Sequence, residues 1–396
     1  VAQAQSFHLD LAVLDAPPNW LERQRLPLPE APVDSMATRR ALQGVLKALH
    51  AQGYLMASVD TIFWSTDQAE AYLMRGDRYE WAQLLNGNVS ENLLSAVGYR
   101  ERFYENTPFY YKEVTRLQEK LLDYLDNHGY PFAQVYLDSI RVGPAEISAR
   151  IYCNRGPLMT FGDLEITGKR RAGRKARADG KKVRIRTGFL SSYLGIKEGK
   201  LYSEKLVQKL QTRLQALRYL QSYQAPYIVF QDNEATVNLF LMDRPSSRVD
   251  VLLGLLPSQD PVTQQQRFDF TGTIDIDLVN PFGTGKRIQF QYEQLTLGVS
   301  DLLLRVQLPY LFQTPLGIDA AFKLYRRDSS FIDIIGNIGI QYFFNGNSYL
   351  KAFWQNTTTN VISIDLERVR QTRRLHNQLD LHNSAFGVEF YYDGVD

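Results

Sequence analysis

The sequence is short of most features that signal a chemical reaction or a helical membrane protein. Cysteine occurs once in 396 residues, at Cys153, so no internal disulfide can form and no cysteine pair stands at metal spacing. No run of about 18 apolar residues occurs, which excludes a membrane-spanning helix. Neither sign of charge prevails: 45 Lys and Arg against 43 Asp and Glu leave +2, and no global field draws nucleic acid or acidic partners. The five histidines (His8, His50, His128, His376 and His382) are scattered. His50 and His128 stand at the ends of predicted helices, where free carbonyls and the helix dipole suit a donor. His376 and His382 lie in or beside a long loop, and metal binding there is the minor reading. Gly-x-Ser-x-Gly, a phosphate loop and His-Glu-x-x-His are all missing. Gly283 and Gly285 sit in a strand-to-strand turn rather than ahead of a helix, which rejects a dinucleotide fingerprint. No enzyme activity, cofactor or metal is expected.

What is present is aromatic surface, with 23 Tyr and 21 Phe, and an internal repeat. "VLKALHAQGYLMASVDTIFW" (45–64) and "LDYLDNHGYPFAQVYLDSI" (122–140) both run an apolar-periodic helix into Gly-Tyr and then into a strand-like alternation. Gly53, Tyr54, Ala57 and Val59 map onto Gly129, Tyr130, Ala133 and Val135 with one offset. Leu42, Val45, Leu46 and Leu49 make one helix face; Val114, Leu117, Leu121 and Leu125 make the second, and Leu206, Leu210, Leu214 and Leu217 a third. Gly53 and Gly129 stand where a helix stop wants a left-handed residue. The third copy keeps a tyrosine, Tyr219, but loses the glycine. Two strand-like runs follow each helix (55–64 and 69–75, 132–141 and 146–153, 223–231 and 234–242), and one strand precedes it ("FHLDLAVLD", "YEWAQLL", "MTFGDLEITG"). The pattern predicts small mixed sheets with helices on one face. In the order first-third-second, the second strand keeps a free edge that accepts an added strand. Val59, Ile62, Val135, Tyr136, Ile228 and Val229 mark those edges.

From about residue 246 the helical period gives way to strict alternation. "FDFTGTIDIDL" puts Phe268, Phe270, Ile274, Ile276 and Leu278 opposite Asp269, Asp275 and Asp277; "RIQFQYE", "LRVQLPY" and "LGIDAAFKL" repeat the device. Further runs stand at 334–344, 349–355 and 385–392, and "RVDVLLGLLP" (248–257) opens the series. Such alternation fits either a membrane barrel or a soluble sandwich with one wet face. Charge and amides on the polar face, and connections alternating between short ("NGN", 345–347) and long ("LERVRQTRRLHNQ", 366–378), favour the barrel.

The helix-Gly-Tyr-strand repeat, "NPFGTGKRI" (280–288; Asn280, Gly283, Gly285) and "LPYLFQTPLG" (308–317; Pro309, Tyr310) together resemble the outer-membrane protein insertase superfamily, in which periplasmic POTRA domains precede a sixteen-stranded barrel. The resemblance implies an α+β fold. Three POTRA-like units of strand-helix-helix-strand-strand form (6–76, 77–157, 158–245) follow a signal-peptide remnant (1–5, after "AQA") and precede the first eight or so strands of an antiparallel transmembrane β-barrel (246–396). Three units suggest the TamA-like branch; five would suggest BamA, and two a two-partner secretion transporter. The family's Val-Arg-Gly-aromatic loop and half its strands find no match, so the chain reads as truncated at the barrel's midpoint.

The implied function is assembly of outer-membrane proteins, with location in the bacterial outer membrane and the repeats in the periplasm. The implied partners are outer-membrane lipid, unfolded outer-membrane protein clients and an inner-membrane or periplasmic partner protein. The family's gate is the seam between first and last barrel strands, here Val249, Val251, Leu253 and Gly254, with Pro257 and Pro261 removing donors near its end. A stretch of ten basic residues in 169–186, including Lys169, Arg170, Arg171, Arg174, Lys175, Arg177, Lys181 and Lys182, reads as a solvated insertion or as a contact for anionic lipid headgroups. It lacks interleaved aromatics, so nucleic acid is not expected. The alternatives are a polypeptide secretion pore and a soluble adhesion or scaffold protein with a sandwich.

Overall fold

A computed structural model describes residues 8–17, 20–24, 26, 35–65, 68–168, 183–259, 266–296, 298–327, 331–361 and 380–394. Residues 1–5, the basic side chains from Lys169 to Lys182, Pro261 and the loop 366–378 with His376 lie outside the described residues. The chain divides into two compact units, 1–158 and 159–396.

The first unit holds two repeats. β1 (His8–Val13), α1 (Trp20–Arg23), α2 (Ser35–Ala51), β2 (Ser58–Trp64) and β3 (Gln68–Met74) form the first, with sheet order β1-β3-β2. β4 (Glu80–Asn86), α3 (Glu91–Ala96), β5 (Thr107–Pro108), α4 (Tyr111–Asp126), β6 (Gln134–Val142) and β7 (Glu146–Asn154) form the second, in the order β5-β4-β7-β6. In each, the first long strand runs parallel to the third and the second antiparallel to it. The helices cover one face only. Leu42, Val45 and Leu49 of α2, like Leu73 of β3, are buried, as are Leu117, Leu121 and Leu125 of α4 with Trp81 and Ile151 of the sheet.

The Gly-Tyr repeat is a helix stop. Tyr54 N–H donates to Leu49 O (3.0 Å) and Gly53 N–H to His50 O (3.1 Å); Tyr130 N–H donates to Leu125 O (3.0 Å). These bonds close the last turn of α2 and α4 through a left-handed glycine, φ +98° at Gly53 and +92° at Gly129. Gly53 carries a second constraint, because a β-carbon there would stand 2.6 Å from the Phe109 carbonyl. Gly129→Ala is therefore expected to cost about 1–2 kcal/mol from the left-handed backbone alone, and Gly53→Ala more. Thermal melts of the two variants check both the loss and its order.

The second unit begins with the third repeat: β8 (Thr160–Gly168), α5 (Thr187–Leu194), α6 (Glu204–Gln208), α7 (Leu210–Ala216), β9 (Leu220–Gln231) and β10 (Glu234–Asp243), in sheet order β8-β10-β9. The single helix expected over 203–220 is two short ones, interrupted at Lys209, and β9 starts at Leu220 rather than Tyr223. Without a glycine the chain leaves α7 by a turn, Leu220 N–H donating to Leu217 O at 3.0 Å, and enters the strand at once. Eight strands follow: β11 (Arg248–Gln259), β12 (Gln266–Val279), β13 (Arg287–Thr296), β14 (Val299–Leu308), β15 (Leu316–Arg327), β16 (Phe331–Asn345), β17 (Ser348–Val361) and β18 (Leu381–Tyr391). They form one antiparallel sheet in chain order, with β11 and β18 at its two edges. No helix among the described residues is long and apolar enough to cross a membrane.

Candidate functional site: free strand edges and the sheet junction

In all three repeats the second strand (β2, β6 or β9) lies at the sheet edge. Val59, Ile62, Val135 and Ile228 pair with helix-side residues of the third strand (Leu73, Ala71, Cys153 and Val237) and are half-buried, whereas Tyr136 and Val229 stand exposed on the helix-free face. The six residues thus share an edge but not a face, so any docking there runs through backbone groups. Each edge is broken by a bulge or shift: between Val59 and Thr61, between Asp138 and Arg141, and opposite Asn238 and Phe240. Such irregularities twist an edge away from indiscriminate pairing. Pro226 withdraws one donor from β9 as well. At β6 the Val135 carbonyl accepts a hydrogen bond from Gln118 Nε2 of α4 (3.2 Å), which an incoming strand would have to displace or share.

Sequence reasoning missed an arginine that follows the third strand. The Arg75 guanidinium lies over Trp20 (5.3 Å) and Tyr54 (5.8 Å), and Arg155 lies over Tyr130 (5.8 Å), so the motif tyrosine of each of the first two repeats is covered by a cation. The signal was an Arg-Gly dipeptide at 75–76 and 155–156. Asp15 fixes the first of these, its two carboxylate oxygens accepting the Arg75 and Gly76 N–H groups at 2.8 and 2.7 Å. Burial pushes its pKa up, but those two bonds and the Arg75 charge outweigh it and hold the carboxyl below the usual range. A depressed folded pKa gives stability that is complete above about pH 4 and lost as pH falls through the folded value. Asp15→Asn is expected to lower the melting temperature in the neutral range and to flatten the acid limb, so that parent and variant converge in a melting series from pH 5 down to 2. Cys153 is buried on β7 and its thiol is pushed up by that burial, which suits packing rather than reactivity.

The two turn motifs meet the third repeat. Asn280, at φ +54°, closes its own turn by accepting the Gly285 N–H (2.8 Å), while its side-chain amide donates to the Arg184 carbonyl (2.9 Å). Arg186 N–H donates to the Gly283 carbonyl (2.7 Å). At Gly285 a β-carbon would fall 2.2 Å from the Phe189 ring, so the ring of α5 lies on the space only glycine leaves. Pro309 ends β14, and Tyr310, at φ +50°, sends its buried ring against Phe189 (5.9 Å) and Tyr193 (6.0 Å) of α5. The same ring stacks on Phe343 (4.7 Å), and its hydroxyl donates to the Gly346 carbonyl (2.5 Å). The Gln313 carbonyl accepts from Ser192 Oγ (3.0 Å) and Lys197 Nζ (3.1 Å). Both motifs are therefore sockets that seat α5 and the segment before it on one end of the sheet.

The sheet has two unlike faces. One exposes Val249, Val251, Leu253, Phe268, Phe270, Ile338, Ile340, Trp354, Phe386 and Val388. On the other, Arg287 grips Asp277 with two hydrogen bonds (2.9 and 2.7 Å), and Asp319 accepts two from Arg305 (2.9 and 2.7 Å) and one from Lys351 (2.7 Å). Lys351 reaches Asp319 by lying over Gly339, where a β-carbon would meet its Cε at 2.6 Å. β11 pairs with β12 in unbroken register from Arg248↔Asp277 to Gln259↔Gln266, so Gly254 and Pro257 do not interrupt that side; a β-carbon at Gly254 would stand 2.8 Å from Thr271 Oγ1. Among the described residues no group of three or more His, Cys, Asp or Glu could hold a metal.

No protein-family model matches the sequence, and no curated protein matches it. Solved structures of similar shape include BamA from Haemophilus ducreyi lacking POTRA domains one to three (11% identity, 80% of this chain, 58% of that one, TM-score 0.41). CdiB from Escherichia coli is similar at 13% identity over 89% of this chain and 62% of its own, with TM-score 0.41. POTRA domains three to five of BamA from Haemophilus influenzae show 14% identity over 61% of this chain and 96% of theirs, with TM-score 0.36. The chain thus spans 58% and 62% of the first two. Among the described residues the architecture is α+β repeats followed by one antiparallel sheet, the fold class that the sequence motifs implied.

Proposed function

We propose that the chain belongs to an outer-membrane assembly factor of the insertase superfamily, with its repeats in the periplasm and its eight-stranded sheet in the wall of a membrane barrel. The two-sided sheet carries this reading. An exposed, continuous apolar face opposite a bonded charged face suits lipid on one side and water on the other. A sandwich would cover the apolar face with a second sheet, and none packs there among the described residues. The repeats then capture unfolded outer-membrane clients by strand addition at β2, β6 and β9. The β11 edge, with Val249, Val251, Leu253 and Gly254, is where a client strand would join the wall. Three repeats ahead of the sheet favour the TamA-like branch.

A polypeptide secretion pore is the second reading, favoured by the charged face, which would line a wet passage. Reconstitution into liposomes with an unfolded client separates them. Assembly leaves the client folded in the bilayer, seen as heat-modifiable migration; secretion leaves it across the bilayer and unfolded. Val135→Pro tests the edge itself: client capture should fall severalfold with an unchanged melting curve. Undiminished capture in that variant removes β6 from the docking surface.

A further inference from the structure

Every repeat carries an aromatic pair on the face its helices leave open, one ring from the edge strand and one from the central strand. Phe63 meets Tyr72 edge-on at 5.9 Å, Tyr136 stacks on Tyr152 at 6.1 Å, and Tyr227 stacks on Phe240 at 5.6 Å. The alternating burial of the central strands places these rings. Ala69, Ala71 and Leu73, then Ala149, Ile151 and Cys153, then Ala235, Val237 and Leu239 are buried under helices, while Tyr72, Tyr152 and Phe240 point the other way. The edge-strand rings remain 60%, 46% and 48% exposed at Phe63, Tyr136 and Tyr227. An edge ring packed on one side and open on the other is an unfinished row.

A strand added beyond such an edge lies about 4.8 Å away and turns every second side chain onto the open face. Those side chains fall beside Phe63, Tyr136 or Tyr227, in the cross-strand position where aromatic and β-branched neighbours favour each other. We propose that these three rings are the side-chain selector of the docking edges: they favour client strands with aromatic or large aliphatic residues at alternate positions. The backbone edge alone, which reads no side chains, cannot make that choice. The inference rests on strand docking at β2, β6 and β9, and the test keeps the two apart.

The probes are two fluorescent nine-residue peptides of equal charge, one alternating Phe and Thr, the other Ser and Thr. The full chain should bind the Phe/Thr peptide about fivefold more tightly, the scale of one favourable cross-strand pair. In the triple variant Phe63→Thr, Tyr136→Thr, Tyr227→Thr the preference should fall to near one, with Ser/Thr binding retained. Phe63→Tyr, Tyr136→Phe, Tyr227→Phe should keep the preference and so separates selection from a general loss of fold. An undiminished preference in the Thr variant overturns the selector and leaves edge docking standing, as does equal loss of both peptides with a normal melting curve. Failure of Val135→Pro to weaken either peptide overturns docking and selection at β6, and no binding by the unaltered chain overturns both at all three edges.

Discussion

Tyr310→Ala should loosen the third repeat from the sheet. The ring is buried between Phe189, Tyr193 and Phe343, and truncating a buried aromatic side chain costs about 3–5 kcal/mol. Its backbone adds to the effect: Tyr310, Phe312 and Gln313 all hold positive φ without being glycine, which persists only while the surroundings enforce it. Hydrogen exchange should show α5 amides losing protection while those of β15 and β16 keep theirs. Tyr310→Phe keeps the ring and loses only the bond to the Gly346 carbonyl, so it should cost about 1 kcal/mol. Equal protection of α5 in the alanine variant and the parent would mean that the ring does not hold the junction.

Asp319→Ala should destabilise the sheet by about 3–5 kcal/mol, the usual result of removing one member of a buried ion pair. Lys351 is buried, and after the change Glu389, at 3.7 Å, would be its remaining carboxylate partner among the described residues, while Arg305 would lose both its hydrogen bonds to Asp319. Adding Lys351→Met to the alanine variant should restore part of the loss, because the stranded cation goes with its partner. Urea unfolding in detergent, read by heat-modifiable migration, gives the four corners of that cycle. Losses that simply add would show that the two residues are not coupled.

How much of this was legible depended on the range of each interaction. The helix stop at Gly53 and Gly129 is closed by bonds between residues three and five apart, so a short repeat in sequence carries it. Alternation in 268–278 and 287–293 exposes two faces because a strand's side-chain period is two, whatever its neighbours. The edge positions followed from the strand order, but the faces did not: the bulge after Val59 restores Ile62 to the helix side, and nothing local announces it. Arg75 and Arg155 escaped notice because each answers a tyrosine in an earlier turn of the chain. The reason for Tyr310 was invisible for the same cause, since its pocket is built by Phe189 and Tyr193 of a helix far upstream. Lys351 finds Asp319 diagonally over a glycine of the intervening strand, a geometry that no spacing rule encodes.

The interruptions of the three edges set a length. Thr61–Trp64 pair without a shift on β2, Gln134–Asp138 on β6 and Tyr227–Gln231 on β9, so each edge offers four or five residues of continuous ladder. Under the proposed strand docking, a guest held by so few rungs would detach quickly, and differences between guests would be set by departure rather than arrival. On the same reading, three brief footholds on one chain would raise the local concentration of whatever has just let go. A long segment would then be retained as a whole while every individual grip on it stayed short-lived, and it could be passed onward without a step that pries it loose.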